Sequence, residues 1–428
     1  MKKAASTCFT LIAILTGLHL SAQENKITPD HVYHQNIRTV KLTRSGDPVS
    51  LPLITLNSSE TLDLNFDDLQ YEVKSYYYTL ILCNADWTPV RMNSIEYLRG
   101  FSENQIRDYR FSSVALQKYV HYQVTIPNNN CKPVKSGNYL LKVYLDSDTN
   151  KLAFTRRMMV LDNKANVGGY ISQPINPKVF RTAQKVNVSI NTKGLNLPNP
   201  FDQLKVVIQQ NFRWDNAITG IKPQFIKGDV LEYNAEQNII FPGMKEWRWI
   251  DLRSFRLQTE RVEKTDYQRT GTTVFAMPDF PRDNQVYQYI KDINGRYFPA
   301  TIDDYNPNFE GDYARVNFVF PAKEPYAGYD MYIFGELTDY ECNTANKLTY
   351  NGARQAYEGA LFLKQGFYNY VYGLIDRTNN NQFSTEYTEG DSWETENVYT
   401  VLVYYRGLGG RYDELIGQLN LNSLQNRR

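Results

Sequence analysis

The sequence alternates apolar and polar residues along many short segments. In KVNVSIN the side chains of Val186, Val188 and Ile190 share one face, and YARVNFVF repeats the pattern. Because successive side chains of a β-strand point to opposite faces of a sheet, this period of two predicts strands. The 33 tyrosines and 21 phenylalanines support the same prediction, since aromatic residues suit pleated, half-buried surfaces. No long helical stripe competes with this pattern, and we expect an all-β chain.

The length and the turn residues predict several domains. A chain of 428 residues with 42% hydrophobic residues can supply two or three cores. Many short strands separated by polar turns are typical of sandwiches, and we expect consecutive immunoglobulin-like or early-set β-sandwiches. Polar and glycine-rich breaks predict sandwich domains at 23–163, 164–275 and 312–406, a connecting segment at 276–311, and a partly ordered, then frayed tail at 407–428.

Residues 1–22 have the pattern of a secretory signal peptide. Two lysines precede an apolar run over residues 9–20, and the small pair Ser21-Ala22 follows. The apolar run is too short for a membrane-spanning helix. The sequence therefore predicts an exported, soluble chain with no direct membrane insertion.

Cysteine usage in an oxidising compartment allows one disulfide at most. Three cysteines remain after the predicted cleavage site, at Cys83, Cys131 and Cys342. Cys83 and Cys131 are the better candidates for a bridge, because both lie in the predicted first domain. Buried free thiols are the alternative.

The net charge argues against a nucleic-acid partner. The whole chain carries +1, and removal of the signal peptide leaves it near neutrality. A nucleic-acid-binding surface would require a basic excess. We expect no nucleic-acid partner.

The corner after the strand YYYTLILC contains the residue types of a nucleophilic triad. Cys83 and Asp86 lie there, and His121 lies elsewhere in the predicted first domain. No glycine-flanked nucleophile signature accompanies them. The alternative is a packed corner, in which Asp86 holds a turn and Trp87 covers the core.

Other chemistry-bearing patterns are weak. His31 and His34 would need further ligands to hold zinc, and His121 is the one histidine left to the mature chain. Neighbouring acids such as Glu394 and Glu396 could face each other across a sugar in a glycosidase, but such pairs are common in a chain with 22% charged residues. We expect no catalytic, cofactor-binding or metal site, no small-molecule substrate and no enzymatic activity.

Adjacent arginine and tryptophan residues are the best partner-binding candidates. Arg213 and Trp214 lie in QNFRWDNAI, and Trp247 and Arg248 lie in EWRWIDL. Arginine and tryptophan dominate the binding energy of many protein interfaces. The alternative is that they stack on one another and hold the strands of the second domain together.

The segment YDMYIFGELTDYECNTANKLTYNGARQAYEGALFLKQGFYNYVYGLID resembles the early-set sandwich of glycogen-binding modules. Tyr340 stands near the position where such modules carry a sugar-stacking tryptophan, and Asp339 and Glu341 flank it. Tyr340 is therefore a further binding candidate. The resemblance implies an alternative function, a periplasmic glycan-binding or glycan-processing protein.

Several longer motifs occur in order between His31 and Gly417, and they are CNADW, EYLRGF, SGNYLLKVY, QNFRWDNAI, LKQGFYNYVYG, ENVYTVLVYYR and RYDELIG. Together they resemble the type IX secretion system plug protein family of the Bacteroidetes. The resemblance implies a non-catalytic periplasmic plug that binds and closes the periplasmic mouth of the giant outer-membrane barrel translocon. It also implies attachment to the outer membrane through that partner alone.

Overall fold

The structure is a computed structural model that describes residues 28–379 and 381–428. The predicted signal peptide at 1–22 lies outside the described residues. Strands dominate, as the alternation predicts. The first eleven strands are β1 (Ile37–Arg44), β2 (Leu53–Thr55), β3 (Leu62–Asp68), β4 (Tyr76–Cys83), β5 (Leu98–Gly100), β6 (Asn104–Gln105), β7 (Asp108–Phe111), β8 (Val120–Ile126), β9 (Cys131–Pro133), β10 (Gly137–Leu145) and β11 (Leu152–Leu161).

The remaining strands follow in chain order. They are β12 (Asn166–Ser172), β13 (Ala183–Asn191), β14 (Leu204–Gln210), β15 (Phe225–Lys227), β16 (Val230–Tyr233), β17 (Ile240–Pro242), β18 (Arg248–Asp251), β19 (Val262–Gln268), β20 (Gly271–Ala276), β21 (Tyr297–Pro299), β22 (Tyr313–Pro321), β23 (Tyr329–Phe334), β24 (Lys347–Asn351), β25 (Ala356–Lys364), β26 (Gly366–Asp376), β27 (Gln382–Ser384), β28 (Val398–Tyr405) and β29 (Glu414–Asn422). The helices are short, and they span Ser94–Glu96, Pro200–Gln203 and Glu336–Thr338. No helix of the described residues is long and apolar enough to cross a membrane.

The first sandwich contains β1 to β11. One sheet has the order β1-β3-β8-β7 and the other the order β2-β11-β10-β4-β6. Phe66 lies at the centre of the core, stacked on Tyr122 with ring centroids 5.1 Å apart. Tyr76 and Phe154 meet the Phe66 ring edge-on at 5.0 and 4.9 Å. The tyrosine-rich alternation thus fills this core with aromatic pairs, each of which stabilises beyond its buried area.

The second sandwich combines strands that are distant in sequence. One sheet has the order β12-β13-β16-β15, with β17 also paired to β13, and the other has the order β14-β28-β29. Strand β29 belongs to the predicted C-terminal tail at 407–428, and it pairs with β28 along its length. The tail is ordered rather than frayed, because Ile416 and Leu421 of β29 are buried in the second core.

The third sandwich is a curled sheet with the order β18-β26-β23-β24-β25-β22-β20-β19, and β21 and β27 pair with β26. Strands from opposite parts of this sheet share one core, since Ile250 of β18 and Val274 of β20 are both fully buried in it. Hydrogen bonding therefore groups β18, β19 and β20 with this sandwich, although all but the last residue of these strands lies within the predicted second domain at 164–275. The division of the chain into independently folding domains stays a prediction.

A buried carboxylate joins the first sandwich to the third. Asp67 of β3 accepts hydrogen bonds from the Lys364 ammonium at 2.7 Å and from the Tyr313 hydroxyl at 2.6 Å, both from the third sandwich. Its other oxygen lies 2.7 Å from Nδ1 of His121. Burial alone would raise the pKa of Asp67, but Lys364 and His121 hold it below the ordinary value. The ionised carboxylate is thus fully partnered.

Replacement of Lys364 by methionine tests this junction. The change removes the ammonium group from the buried Asp67 carboxylate, which should lower the free energy of unfolding by about 3–5 kcal/mol. Lys227→Met is the matched control, because Lys227 pairs with Glu232 at 2.9 Å but its side chain is 69% exposed, and it should change stability by less than about 0.5 kcal/mol. Denaturant unfolding of both variants measures the difference, and equal effects would contradict the assignment.

Candidate functional site

Three of the predicted partner-binding residues meet in a cluster between the second and third sandwiches. The Arg213 guanidinium lies 4.9 Å from the ring of Phe334, 6.0 Å from that of Trp247 and 5.9 Å from that of Tyr340. It also donates two hydrogen bonds to the Asp215 carboxylate, at 3.1 and 2.6 Å. Arg213 is 3% exposed, so its charge is used within the chain to hold the loop after β14 against the end of β23.

Trp214 lies at a different junction, between the first and second sandwiches. Its ring meets that of Trp87 edge-on with centroids 5.0 Å apart, and the Arg157 guanidinium lies 5.1 Å from both rings. Asp86 accepts a hydrogen bond from the backbone N–H of Thr88 at 3.1 Å and so closes the turn. The corner is packed, as one reading of the sequence predicts, but Trp87 packs against the second sandwich rather than over the core of the first.

The coupling between Trp87 and Trp214 is measurable by a double-mutant cycle. We expect Trp87→Ala and Trp214→Ala to be less destabilising together than the sum of the single changes, with a coupling of about 0.5–1.5 kcal/mol from the edge-to-face pair. Trp87→Ala combined with Trp249→Ala is the control, because Trp249 lies on β18 of the third sandwich. Additivity of the Trp87 and Trp214 changes in thermal or denaturant unfolding would refute the junction.

Arg248 lies apart from the other candidates, inside the third sandwich. Its guanidinium pairs with Asp279 at 3.0 Å and with Glu389 at 3.0 Å, and it donates to the carbonyl oxygen of Phe280 at 2.8 Å. Arg282 contacts the same Glu389 carboxylate at 2.6 Å. Burial would raise the pKa of Glu389, but the two guanidinium groups lower it to about 2. Arg248 thus anchors the loop that carries Glu389 to the sheet.

The Glu389 ion pairs predict a pH-dependent stability. The folded-state pKa of about 2 lies below the ordinary value of 4.5, so the unfolded chain binds more protons between these pH values. The stabilising contribution is therefore complete above pH 4.5 and is lost as the pH falls toward 2. The difference in unfolding free energy between the wild type and Glu389→Gln should shrink by an amount on the order of 3 kcal/mol over this range. A difference that stays constant in urea titrations between these pH values would argue against the charged pair.

Three carboxylates form a further cluster that the sequence analysis did not identify. Glu246, Asp292 and Glu396 each place an oxygen within 4.8 Å of the other two. Burial raises the pKa of Glu246 and of Asp292 to about 7, and it also raises that of Glu396. The three residues come from separate loops, and no spacing in the sequence connects them. Sequence adjacency associates Glu396 with Glu394 instead, and Glu394 is not in the cluster.

The hydrogen-bond partners of Glu246 come from distant segments of the chain. Its Oε1 atom accepts a hydrogen bond from the Tyr287 hydroxyl at 2.5 Å and from the backbone N–H of Glu396 at 3.1 Å. Its Oε2 atom is buried and has no hydrogen-bond partner among the described residues. Asp292 accepts from the backbone N–H groups of Trp247 and Asn294 at 2.5 and 2.9 Å. These contacts fix the carboxylates in place but bring no positive charge to them.

Comparison with known proteins places the chain in a family. Residues 37–162 match the family described as Type 9 secretion system plug protein 1st domain, a range that runs from the start of β1 to just past the end of β11. A crystal structure of a hypothetical protein from Parabacteroides merdae ATCC 43184 is 32% identical to the chain, with a TM-score of 0.87, over 91% of this chain and 98% of that chain. The chain belongs to the type IX secretion system plug protein family. Membership links it to type IX protein secretion, and no curated protein matches it.

The plug-family chain offers no exposed aromatic platform at the tyrosines considered for glycan binding. The ring of Tyr340 packs against those of Phe334 and Trp247, with centroids 5.7 and 6.5 Å away. Its hydroxyl donates to the carbonyl oxygen of Gly295 at 3.3 Å. Tyr368 is 2% exposed. The early-set resemblance of this region therefore supports the fold and not a sugar ligand.

The cysteines of this plug-family chain are free thiols. Cys83, Cys131 and Cys342 are all unbridged in the structure, and the first two are buried. Burial raises the pKa of Cys83 to about 12 and that of Cys131 to about 11, which keeps both protonated and unreactive at neutral pH. His121, the proposed base, contacts Asp67 instead.

The structure also locates the other histidine candidate and the exposure of the five partner-binding candidates. His31 does not pair with a metal ligand set but lies 2.6 Å from the Glu341 carboxylate. Arg213, Trp247 and Arg248 are each at most 8% exposed, whereas Trp214 and Tyr340 are partly exposed. Partner contact through these five residues stays a prediction.

Proposed function

We propose that the chain is a non-catalytic periplasmic plug that binds and closes the periplasmic mouth of the outer-membrane barrel translocon of type IX secretion. The observation that carries the proposal is membership of the plug family. The chain is attached to the outer membrane only through the barrel. It controls the passage of folded cargo proteins and does not act on a small-molecule substrate.

A rigid, preformed body suits this function. A protein that closes a wide opening needs a broad contact surface whose shape is already fixed, because ordering flexible parts on binding would weaken the complex. The first and third sandwiches are locked by Asp67 and Lys364, and also by Lys41, whose ammonium lies 2.6 Å from Glu336. Burial lowers the pKa of Lys41 to about 8, and the lysine is therefore still charged at neutral pH.

A third ion pair reinforces the same junction. Arg156 of β11 donates to the Asp339 carboxylate at 2.9 Å, and it also donates to the carbonyl oxygen of Val40 at 3.2 Å. Asp339 has a left-handed backbone conformation with φ of 52°, at the end of the short helix Glu336–Thr338. The turn that carries Tyr340 is thereby fixed to the first sandwich. It gives the proposed plug a surface of defined shape rather than a mobile loop.

The proposal predicts a specific partner and a specific defect. A C-terminally tagged chain, purified from gently solubilised envelopes, should recover a very large outer-membrane barrel protein identified by mass spectrometry. A deletion strain should become permeable to large antibiotics, because an open translocon would admit molecules that ordinary porins exclude. Wild-type chain and the control variant Lys227→Met should both restore the barrier.

Two outcomes would contradict the proposal. One is recovery of the tagged chain without a barrel protein, together with its retention on a glucan column. The other is an unchanged permeability of the deletion strain under conditions that stop secretion. Lys364→Met, produced at wild-type abundance as judged by immunoblot, should restore the barrier less well than Lys227→Met if the fixed arrangement of the sandwiches matters for closure.

A further inference from the structure

Buried carboxylates at the sandwich junctions are generally matched by cations of the chain. Asp67 has Lys364, Glu336 has Lys41, and Glu389 has two arginines. This pattern follows from the large cost of burying an unpaired charge. Where no such cation is present, the carboxyl group has to be protonated, satisfied by hydrogen-bond donors, or matched by a cation from outside the chain.

The carboxylate cluster of Glu246, Asp292 and Glu396 departs from the pattern. None of the three forms an ion pair within the described part of the chain. Glu246 is 1% exposed, and its carboxylate lies in the cluster with the Oε2 atom unpartnered. A buried acceptor without a donor lowers the stability of the folded chain. The cluster therefore lacks a partner for this oxygen atom as well as a positive charge to balance its carboxylates.

We infer that Glu246, Asp292 and Glu396 bind one divalent cation of the oxygen-preferring class, Ca²⁺. Carboxylate and amide oxygens are the ligands that Ca²⁺ takes, at about 2.4 Å, so oxygens on opposite sides of one ion lie about 4.8 Å apart. The three acidic oxygens lie within 4.8 Å of one another. Asn294 donates its side-chain amide to the Glu396 carboxylate at 3.0 Å, and its own side-chain oxygen is buried and unpartnered.

The cation would connect three parts of the chain. Glu246 lies just before β18 of the third sandwich, Glu396 lies just before β28 of the second, and Asp292 lies in the connecting segment. The same segment exposes Val286 and Tyr289, with 92% and 52% of their surface accessible. The ion therefore fixes the second sandwich to the third and holds the segment that displays these apolar side chains. This inference does not depend on the proposed plug function.

Calorimetric titration of the metal-free, full-length mature chain with CaCl₂ tests the site. We expect one Ca²⁺ per chain and a melting temperature that rises with the logarithm of the Ca²⁺ concentration. Glu246→Gln should weaken binding by about tenfold or more, the scale on which loss of a group around a metal reduces affinity. Glu396→Gln should act in the same direction, and it tests the site if Glu246→Gln does not fold, because Glu396 is only partly buried.

Asp391→Asn is the matched control. Asp391 is another carboxylate whose pKa burial raises, to about 6, and it accepts one backbone hydrogen bond, from Met244 at 2.7 Å, but it lies outside the cluster. This variant should keep wild-type Ca²⁺ binding. The inference is overturned if no binding appears at about 10 mM CaCl₂, well above the Kd of about 1 mM found for weak extracellular sites. It is also overturned if both glutamine variants bind as the wild type does.

Discussion

The arrangement of the sandwiches depends on the burial of one charge, that of Asp67. A carboxylate removed from water is tolerated only with a cation and hydrogen bonds around it, and Lys364 and Tyr313 of the third sandwich supply both. Separation of the first and third sandwiches would expose two charges that the structure pairs, or leave each buried alone. The junction is therefore formed completely or not at all, and this gives the pair of sandwiches one relative orientation.

Aromatic side chains complete the arrangement at the other junctions. Arg213 lies among the rings of Phe334 and Trp247 between the second and third sandwiches, and Trp87 meets Trp214 between the first and second. Cation–π and edge-to-face contacts are directional, so they specify orientation as well as adding stability. A fixed orientation is what a multi-sandwich protein needs if several of its sandwiches contribute to one contact surface.

The sequence predicted the strands well and their partners less well. Period-two alternation identifies β13 and β22 directly, because it reports which face of a strand is buried. It cannot report that β14 at 204–210 pairs with β28 at 398–405, since that choice is made by long-range packing. The same limit applies to the sites. Arg213 and Trp247 stand out by residue type, although they join two sandwiches rather than strands of one. Glu246, Asp292 and Glu396 were missed as a cluster, because only the fold brings their loops together.

The two ways of compensating buried acids give the junctions different properties. Between the first and third sandwiches the cation is Lys364, a covalent part of the chain, and the junction keeps its charge balance in any medium near neutral pH. Between the second and third, the carboxylates around Glu246 form no ion pair among the described residues, although Arg282 lowers the pKa of Asp292 against the effect of burial, and the inferred Ca²⁺ must come from the surroundings. The junction between the second and third sandwiches then strengthens or weakens with the Ca²⁺ concentration outside the chain. The junction between the first and third sandwiches stays unchanged. The connecting segment, held through Asp292, is the part of the molecule that such a change would release first.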